Sequence, residues 1–370
     1  METCDVLIVG GGPAGSSCAW KLRQRGMSVT VMDKAQFPRD KVCAGWITPA
    51  VAQALQLDTG DYAKGRVLQP ITAIRSGLVH GRELETRYPN TISFGIRRCE
   101  FDHYLLQRSG ARLRLGETLK SLDKRGSLWI ANDAIAAPLL IGAGGHFCPV
   151  ARHLGAKLGA SEDAVTAKEI EFEMDAEQDA GCTVRADTPE IYFCRDLKGY
   201  GWCFRKGNYL NIGLGREGHQ GLAEHLEDFC DFLKQRGKIP GNIPDKFHGH
   251  AYLLRGHSGR KLFDEGVLLV GDAAGLAYAQ SGEGIRPAVE SGLIAAAVVA
   301  DAGEDYRSQR LQAYAGRLNA RFGPGVAPVT DMIPGFLRSA LARALLGSRW
   351  ATRRVVLDRW FLHAQQAALQ

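Results

Sequence analysis

The sequence predicts an α/β fold, α+β overall, in which a parallel-sheet domain is interrupted by an antiparallel β-sheet and followed by a helical C-terminal segment. Two segments, at residues 5–34 and 265–300, each combine a strand, a glycine turn and a helix. Their strands are continuous apolar runs, which is typical of buried parallel strands. Between them, residues 169–175 alternate charged and apolar side chains strictly, which predicts an antiparallel strand with one wet face and one buried face.

The first segment, DVLIVGGGPAGSSCAWKLRQRGMSVTVMDK, has the pattern of a Rossmann-like nucleotide-binding unit. A strand at Val6–Val9 leads to Gly10, Gly12 and Gly15, then to a helix and to a second strand that closes at Asp33. The first glycine allows the tight turn, the second lets a diphosphate approach the backbone, and the third lets helix and strand pack closely. The helix N-terminus offers N–H groups to phosphate, and the terminal acid accepts from ribose hydroxyls. The segment therefore predicts dinucleotide binding.

The second segment, EGVLLVGDAAGLAYAQSGEGIRPAVESGLIAAAVVA, indicates which dinucleotide. A strand at Val267–Val270 is followed by Asp272, which is placed to hold the ribityl chain of a flavin. A helix that begins near Gly284 aims its N–H groups at the pyrimidine edge of the ring, where they favour an anionic reduced flavin. A simple crossover, the alternative, does not need Gly282 and Gly284 together. We therefore expect FAD as the cofactor.

Composition limits the class of protein and its partners. The chain has 370 residues, 45% of them hydrophobic and 23% charged, and a net charge of +6 without the basic stripe of a nucleic-acid binder. Nine cysteines are scattered without CxxC or zinc spacing, and His248 and His250 have no ligand partners at suitable spacing, so no metal is expected. No apolar run approaches the ~20 residues of a membrane span. A strand pattern within five residues of the start leaves no room for a signal peptide, so we expect a cytoplasmic protein.

An aromatic ribbon, GYGWCFRKGNYLNIGLG at residues 199–215, predicts two strands joined by a tight turn. Tyr200, Trp202 and Phe204 share one face at a period of two, where rigid rings either line a slot for a substrate or fill the core of the sheet. Gly213 and Gly215 allow the backbone to approach a neighbouring group closely. The pattern alone leaves both interpretations of the rings open.

These motifs together resemble the geranylgeranyl reductase family of FAD-dependent oxidoreductases, which share the fold of 4-hydroxybenzoate hydroxylase and saturate carbon–carbon double bonds of isoprenoid chains. The resemblance covers roughly residues 3–300. The family pattern YxWxFP, seven or eight residues and then GxG is met by the ribbon, with Arg205 in place of the proline. A PCGG-like segment is present at residues 42–45, and an arginine-plus-FD segment places an arginine at Arg98.

The resemblance implies roles for individual residues, and the implied reaction is hydride transfer from flavin N5 to one alkene carbon with a proton added at the other. The implied catalytic residues are Cys43, Trp202 and Tyr200. The implied substrate contacts are Tyr200, Trp202, Phe204, Arg205, Gly213 and Gly215. The implied flavin contacts are Gly10, Gly12, Pro13, Ala14, Gly15, Asp33, Lys34, Cys43, Ala44, Trp46, Arg98, Leu119, Gly271, Asp272, Gly282, Gly284 and Ile285. For Cys43, a buried thiol and a thiol that assists proton delivery or gates the loop remain alternatives.

Two departures from the family pattern bear on partners. The segment GAGG at residues 142–145 has Gly144 where related enzymes carry an acid, which argues against direct reduction by NADPH and leaves the donor open between NAD(P)H and a reduced carrier. Arg205 hints at a substrate with an anionic or polar head. The substrate is expected to be hydrophobic, isoprenoid or aromatic. Two rival functions stay open. One is a flavin-dependent monooxygenase or halogenase, although the halogenase pattern WxWxIP has a Trp where this chain has Tyr200. The other is a non-catalytic flavin-binding protein.

The domain bounds follow from these patterns. The FAD-binding domain is predicted at residues 1–75, 91–165 and 260–305, and the antiparallel-sheet substrate domain at residues 76–90 and 166–259. A helical C-terminal segment is predicted at residues 306–370. Its end is basic and carries Trp350, Trp360 and Phe361. It is expected either to lie peripherally on a membrane surface or to cap the cavity and core.

Overall fold

The computed structural model describes residues 1–158, 162–218, 221–324 and 335–369. The chain folds into two compact units, each assembled from three stretches of sequence. The first unit consists of Met1–Asp40, Cys99–Ala164 and Tyr252–Ala327. The second unit consists of Lys41–Arg98, Val165–Ala251 and Pro328–Gln370.

The strands of both units are numbered along the chain. They are β1 (Glu2–Thr3), β2 (Val6–Val9), β3 (Val29–Asp33), β4 (Trp46–Ile47), β5 (Leu68–Ile71), β6 (Ala73–Leu78), β7 (Glu83–Arg87), β8 (Ser93–Ile96), β9 (Arg112–Leu115), β10 (Leu122–Arg125), β11 (Leu128–Ala131), β12 (Ile135–Ala137), β13 (Leu139–Gly142), β14 (Val165–Glu173), β15 (Glu190–Phe193), β16 (Gly199–Lys206), β17 (Tyr209–Glu217), β18 (His248–Tyr252), β19 (Phe263–Asp264) and β20 (Val267–Leu269).

The helices are numbered in the same way. They are α1 (Pro13–Arg23), α2 (Pro49–Ala54), α3 (Thr59–Tyr62), α4 (Arg98–Arg108), α5 (Pro149–His153), α6 (Ala176–Gly181), α7 (Leu222–Gln235), α8 (Ile285–Ala302), α9 (Ser308–Leu311), α10 (Ala313–Phe322), α11 (Gly335–Gly347) and α12 (Arg349–Ala351). A 3₁₀ turn covers Gly271–Ala274, and a π-helical stretch covers Thr352–Phe361.

A six-stranded sheet forms the centre of the first unit, in the order β19-β20-β13-β2-β3-β9. All its pairings are parallel except that of β19 with β20. The apolar run Val6–Val9 is fully buried because it has a strand on each side and helices over the sheet. A smaller sheet, β1-β12-β11-β10, completes the unit. The predicted α/β fold with a Rossmann-like domain is therefore confirmed.

The helix after the first glycine turn forms because Pro13 occupies its first position, where the missing N–H costs nothing. It ends before Gly26, which has a φ of 81° that an L side chain rarely adopts. One side of α1 packs against α8 so closely that a Cβ at Gly292 would lie 2.3 Å from the carbonyl oxygen of Ala14. The helices of the two predicted nucleotide-binding segments are thus in direct contact.

A seven-stranded sheet, β18-β14-β17-β16-β15-β6-β7, forms the second unit. Its central strands β14, β17, β16 and β15 pair antiparallel, as the alternating pattern predicts, whereas β15 and β6 pair parallel. The ribbon is the hairpin of β16 and β17, which turns at Gly207 with a φ of 58°. Helix α7 packs its apolar side, including Leu226, Phe229 and Leu233, on one face of this sheet.

The bounds of the two units differ from the predicted domain bounds. Residues 41–75 and 91–98, predicted in the nucleotide-binding domain, belong to the second unit, where β4, β8 and β5 form a separate three-stranded sheet. The reason is pairing at long range, which short strands do not reveal in sequence. The predicted C-terminal segment is also divided, since α9 and α10 belong to the first unit and α11 and α12 to the second.

The C-terminal segment of the second unit is anchored by polar contacts near its end. Tyr88 donates a hydrogen bond from its hydroxyl to Asp358 Oδ1 at 2.7 Å, and Arg353 stacks over the Tyr88 ring at 4.8 Å. In the part of the chain that the structure describes, no helix combines the length and apolar character required to cross a bilayer.

Candidate functional site

The first glycine turn is closed by contacts that exclude any side chain. Gly10 has a φ of 118°, and a Cβ there would lie 2.2 Å from the carbonyl oxygen of Ala143. A Cβ at Gly15 would lie 1.9 Å from the carbonyl oxygen of Gly10. Both predicted structural roles, the tight turn and the close packing of helix against strand, therefore have a steric basis in this chain.

The middle glycine of the turn has a different environment. Gly12 caps α1 without a side-chain hydrogen bond, and the nearest atom to a Cβ built there is Nη2 of Arg39 at 3.5 Å. Arg39 also pairs with the buried Asp102 at 3.1 Å. A helix N-terminus, a glycine without crowding and an oriented guanidinium fit a diphosphate. Arg39 was not singled out from the sequence, although the FPRD segment after the second strand carries it.

The acid at the end of β3 organises this turn. Asp33 accepts a hydrogen bond from the Gly11 N–H at 2.7 Å through Oδ2 and from the Ala35 N–H at 2.8 Å through Oδ1. Each carboxylate oxygen has a further lone pair. Of the other implied contacts in this region, Lys34 is exposed and Leu119 is half-buried. Their contacts to a cofactor stay predictions.

The second glycine segment meets the first at one alanine. Gly271, with a φ of 60°, would place a Cβ 2.9 Å from the Cβ of Ala14. Further along the segment, a Cβ at Gly284 would lie 3.3 Å from Oδ1 of Asp272, so the start of α8 and this carboxylate are neighbours. The first unit therefore brings both predicted nucleotide-binding segments together at the carboxyl ends of β2, β13 and β20, which is the edge where open α/β sheets bind ligands.

A buried arginine ties three backbone carbonyls in this region. Arg260 donates to the carbonyl oxygens of Asp272 at 3.3 Å, Ala273 at 3.1 Å and His146 at 2.8 Å. Its charge is balanced by Glu162, which accepts from Nε at 2.8 Å and from Nη2 at 2.6 Å. This residue joins the loop after Gly144 to the turn that carries Asp272. Sequence reasoning missed it, because an arginine outside the glycine motifs gives no local signal.

Gly144 occupies the position where the resemblance leads us to expect an acid, and the surrounding atoms leave little room for a side chain. A Cβ at this position would lie 3.2 Å from the Cα and 3.3 Å from the Sγ of Cys148. Cys148 is fully buried, and burial raises the pKa of its thiol. A side chain at Gly144 would therefore need its neighbour to move, which agrees with the glycine found here.

In the second unit, the ribbon's rings belong to one aromatic cluster. Tyr200 and Trp202 have ring centroids 6.1 Å apart, and Phe204 contacts Trp46 at 5.4 Å. Phe361 from the C-terminal segment contacts Tyr200 at 5.3 Å and Trp46 at 6.0 Å. The end of the chain therefore packs on the aromatic face of the ribbon, as expected if the C-terminal segment caps this face. The indole N–H of Trp46 is buried with no hydrogen-bond partner in the described part of the chain.

The register of the sheet explains the spacing of the ribbon motif. Gly213 of β17 pairs with Trp202 of β16 on one side and with Glu169 of β14 on the other. Asn211 of β17 pairs in the same way with Phe204 and Glu171. A Cβ at Gly213 would lie 2.3 Å from the Trp202 ring. The first glycine of GxG therefore makes room for the indole of the same motif. A substrate contact at Gly213 or Gly215 stays a prediction.

One asparagine links the ribbon to the PCGG-like segment. We call residues 41–45, which contain this segment, the cysteine loop. Asn211, fully buried, accepts the indole N–H of Trp202 at 2.7 Å and donates to the carbonyl oxygen of Cys43 at 3.3 Å. Two of the implied catalytic residues, Cys43 and Trp202, are thereby brought together through a third residue that the sequence analysis did not name. Its only signal was its place two residues before GxG.

Buried charges hold the same loop. Lys206, 1% exposed, pairs with Glu171 and donates to the carbonyl oxygens of Ala44 at 3.1 Å and Ile96 at 3.0 Å. Glu169, 6% exposed, accepts the Cys43 N–H at 2.7 Å. The expectation that the charged face of residues 169–175 is wet is therefore wrong at Glu169, because the cysteine loop covers this part of the strand.

Burial, partly offset by the charge of Lys206 and reinforced by that of Glu171, raises the pKa of Glu169 to about 7.

Strand alternation directs Arg205 to the face opposite Phe204, where it pairs with Asp179. The positive charge of Arg205, from which an anionic or polar substrate head was expected, is therefore paired within the protein. Arg98, at the start of α4, is 8% exposed and belongs to the second unit.

One histidine of the pair at positions 248 and 250 has a side-chain neighbour. His250 Nε2 lies 2.6 Å from Lys41 Nζ. Within the four described ranges of the chain, no group of three or more His, Cys, Asp or Glu side chains is arranged to hold a metal ion.

Comparison with known proteins defines the class first. The family model described as FAD dependent oxidoreductase matches residues 5–98. With the two glycine segments in contact and fitting a flavin dinucleotide, the chain is an FAD-dependent oxidoreductase.

Similar proteins confirm the resemblance to geranylgeranyl reductases. Digeranylgeranylglycerophospholipid reductase of Methanococcus vannielii is 26% identical over 332 residues, covering 85% of this chain and 81% of that protein. Menaquinone reductase of Mycobacterium tuberculosis is 29% identical over 326 residues, covering 80% and 76%. A geranylgeranyl bacteriochlorophyll reductase-like protein of Thermoplasma acidophilum has a TM-score of 0.78 at 20% identity, covering 99% and 98%. Flavin-dependent halogenases share the fold at TM-scores of 0.62 and 0.68.

Proposed function

We propose that this protein reduces carbon–carbon double bonds in the isoprenoid chain of a lipid. The observation that carries the proposal is the Asn211 link, which holds the backbone of Cys43 and the ring of Trp202 on one face of the second unit's sheet. Relatives named as reductases of digeranylgeranylglycerophospholipid and of menaquinone act on molecules that share a polyprenyl chain. A hydrophobic, flat-sided substrate suits a face lined with rigid aromatic rings.

The aromatic face contributes binding and water exclusion. Tyr200, Trp202, Phe204, Trp46 and Phe361 contact one another in a continuous series. Such rings bury apolar area with little loss of side-chain entropy, which favours an extended hydrocarbon over water. The half-buried Tyr200 is a candidate direct contact for the substrate.

The cofactor and the side chains of the protein have separate roles in the proposed reaction. When bound and reduced, FAD supplies a hydride, the two electrons that saturate one double bond. The second hydrogen arrives as a proton at the other carbon, and the thiol of Cys43 is our candidate donor. The Gly12 turn and Arg39 bind the diphosphate, while Arg260 fixes the turn that carries Asp272. The electron donor is proposed to be an external one, either NAD(P)H or a reduced carrier.

Anaerobic turnover tests the proposal. FAD-loaded protein, reduced by light, is mixed with a geranylgeranylated glycerophospholipid, and the lipid is analysed by mass spectrometry. A gain of two hydrogens per reduced bond is expected, and the matched lipid with a saturated chain should leave the flavin reduced. Cys43→Ser, which keeps the size of the side chain, should slow the reaction, whereas Cys99→Ser, at the other half-buried cysteine, should not. Failure of this lipid to reoxidise the flavin would contradict the proposal, as would an oxygenated product in air.

We also propose that the C-terminal helices of the second unit contact the membrane that holds this lipid. Trp350 is 71% exposed, and Arg354 nearby in sequence is 64% exposed, the pairing of aromatic and basic side chains that suits an anionic bilayer surface. Co-sedimentation with vesicles containing anionic lipid should weaken in Trp350→Ser. Because Trp350 lies outside the aromatic cluster, a short water-dispersed substrate should still be reduced. Equal sedimentation of both proteins would refute the contact.

A further inference from the structure

The cysteine loop is held by side chains from the sheet at three consecutive backbone groups. Glu169 accepts the N–H of Cys43, Asn211 donates to the carbonyl oxygen of Cys43, and Lys206 donates to the carbonyl oxygen of Ala44. The amide of Asn211 is neutral and cannot change its charge. The carboxyl of Glu169 can change its charge, and both of its forms can accept the Cys43 N–H.

We propose that Glu169 is a positioning residue for Cys43, whose protonation favours the closed cysteine loop and whose ionisation loosens it. The proposal rests on the proposed function for its catalytic meaning, because it concerns the loop that carries the candidate proton donor. It does not depend on that function for its physical content, which is a contact between one carboxyl and one backbone N–H in the second unit.

The geometry around the carboxyl supports a change of charge at this position. Glu169 is opposite Gly213 in the sheet, beside the ring of Trp202, and its side chain is buried. Glu171 stands two residues further along the same face and is paired with Lys206. One buried ammonium therefore serves two neighbouring carboxyls, and only one of these makes the direct pair.

The other charged groups around this contact are fixed in their own pairs. Arg97, before α4, lies 3.5 Å from Glu171 and stacks on Tyr209 at 3.7 Å. On β18, the strand beside β14, His250 contacts Lys41 of the cysteine loop. At the end of β14, the exposed Glu173 accepts from the hydroxyl of Tyr209 at 3.1 Å.

The direction of the effect follows from the burial of the carboxyl. Burial disfavours the carboxylate more than the hydrogen bond from the Cys43 N–H favours it, and the pKa of Glu169 is raised to about 7. Opening of the loop hydrates the carboxylate, so ionisation favours the open loop. A desolvation cost at the lower end of the range for a buried polar group corresponds to about fivefold in the population of the held loop. Below neutrality the loop is held more tightly, and above it the loop opens more often.

Alkylation of Cys43 measures the loop directly and needs no substrate. FAD-loaded full-length protein is treated with iodoacetamide between pH 6 and pH 8, and the Cys43 and Cys99 peptides are quantified by mass spectrometry. Cys99 is the internal reference, because it and Cys43 are the two half-buried thiols while the other seven are buried. We expect the Cys43 to Cys99 ratio to rise about fivefold as the pH rises through 7, in line with the desolvation cost of the carboxylate.

Two variants separate the cause from other titrations. Glu169→Gln should abolish the step, and Glu173→Gln, which removes a carboxylate from the same face of the same strand at an exposed position, should leave it intact. A step that persists in Glu169→Gln would overturn the proposal, and so would a wild-type ratio that does not change with pH. Independently of any variant, the amide protection factor of Cys43 in hydrogen exchange should be about fivefold greater at pH 6 than at pH 8. Equal protection would also overturn it.

Failure of this inference and failure of the proposed function give different results. An alkylation step without reduction of any polyprenyl lipid leaves the Glu169 contact standing and refutes the function. Reduction of the lipid without an alkylation step, or with a step that Glu169→Gln retains, refutes the positioning role alone.

Discussion

Replacing Asn211 with leucine tests the link between the ribbon and the cysteine loop. Asn211 has no exposed surface, and leucine has nearly its size but neither its acceptor nor its donor. The change leaves the indole N–H of Trp202 buried without its acceptor, which costs about 1–3 kcal/mol. Loss of the two longer bonds, at 3.3 Å to Cys43 and to Glu171, adds about 1 kcal/mol. We expect the free energy of unfolding to fall by about 2–4 kcal/mol.

Urea unfolding of the FAD-loaded protein, followed by far-ultraviolet circular dichroism, measures this loss as a lower midpoint at an unchanged slope. Trp202→Phe keeps an aromatic ring, although a smaller one, and removes the N–H, so it supplies the second arm of a double-mutant cycle. The coupling energy between positions 202 and 211 should be at least about 1 kcal/mol. A cost for Asn211→Leu below about 0.5 kcal/mol, or strictly additive effects, would refute the assigned role of this residue.

Three further changes have outcomes that the structure specifies. Gly213→Ala forces the ring opposite to move, and the overpacking should lower the unfolding free energy by about 1–3 kcal/mol in urea titrations; an unchanged midpoint would contradict the register. Glu290→Ala removes the buried partner of Arg286 and Arg321 and should cost about 3–5 kcal/mol, whereas Asp301→Ala, at an exposed pair, should cost less than about 1 kcal/mol; equal costs would contradict this difference. Because the folded state raises the pKa of Glu169 from 4.5 to about 7, its contribution to stability is present below pH 4.5 and is lost as the pH rises through 7, by ~3 kcal/mol at most. Thermal unfolding of Glu169→Gln should lack this decline, and a parallel decline in both proteins would contradict it.

The parts of the fold that the sequence predicts are those with local signals. The first glycine segment combines an apolar strand, a turn that needs a φ of 118° at Gly10 and a proline at the first helical position, and each of these acts within a few residues. The ribbon is also local, because its two strands are neighbours joined by a turn at Gly207. In both places the pattern of side chains and the geometry of the backbone agree.

The missed residues depend on contacts at long range. Alternation along residues 169–175 predicts two different faces but cannot show that the cysteine loop, more than a hundred residues away in sequence, covers Glu169. Arg260 and Arg39 owe their roles to carbonyls and to a glycine turn that reach them only in the folded chain. The assignment of residues 41–75 and 91–98 to the second unit likewise rests on pairing among short strands.

A single-turnover experiment tests the central claim most directly. Protein that carries one equivalent of reduced FAD is mixed without oxygen with excess geranylgeranylated lipid, while flavin absorbance and loss of double bonds are followed together. The account predicts that one double bond disappears for each flavin reoxidised, and that the saturated lipid gives neither signal. Reoxidation without loss of a double bond, or a flavin that stays reduced in the presence of the lipid, would contradict it.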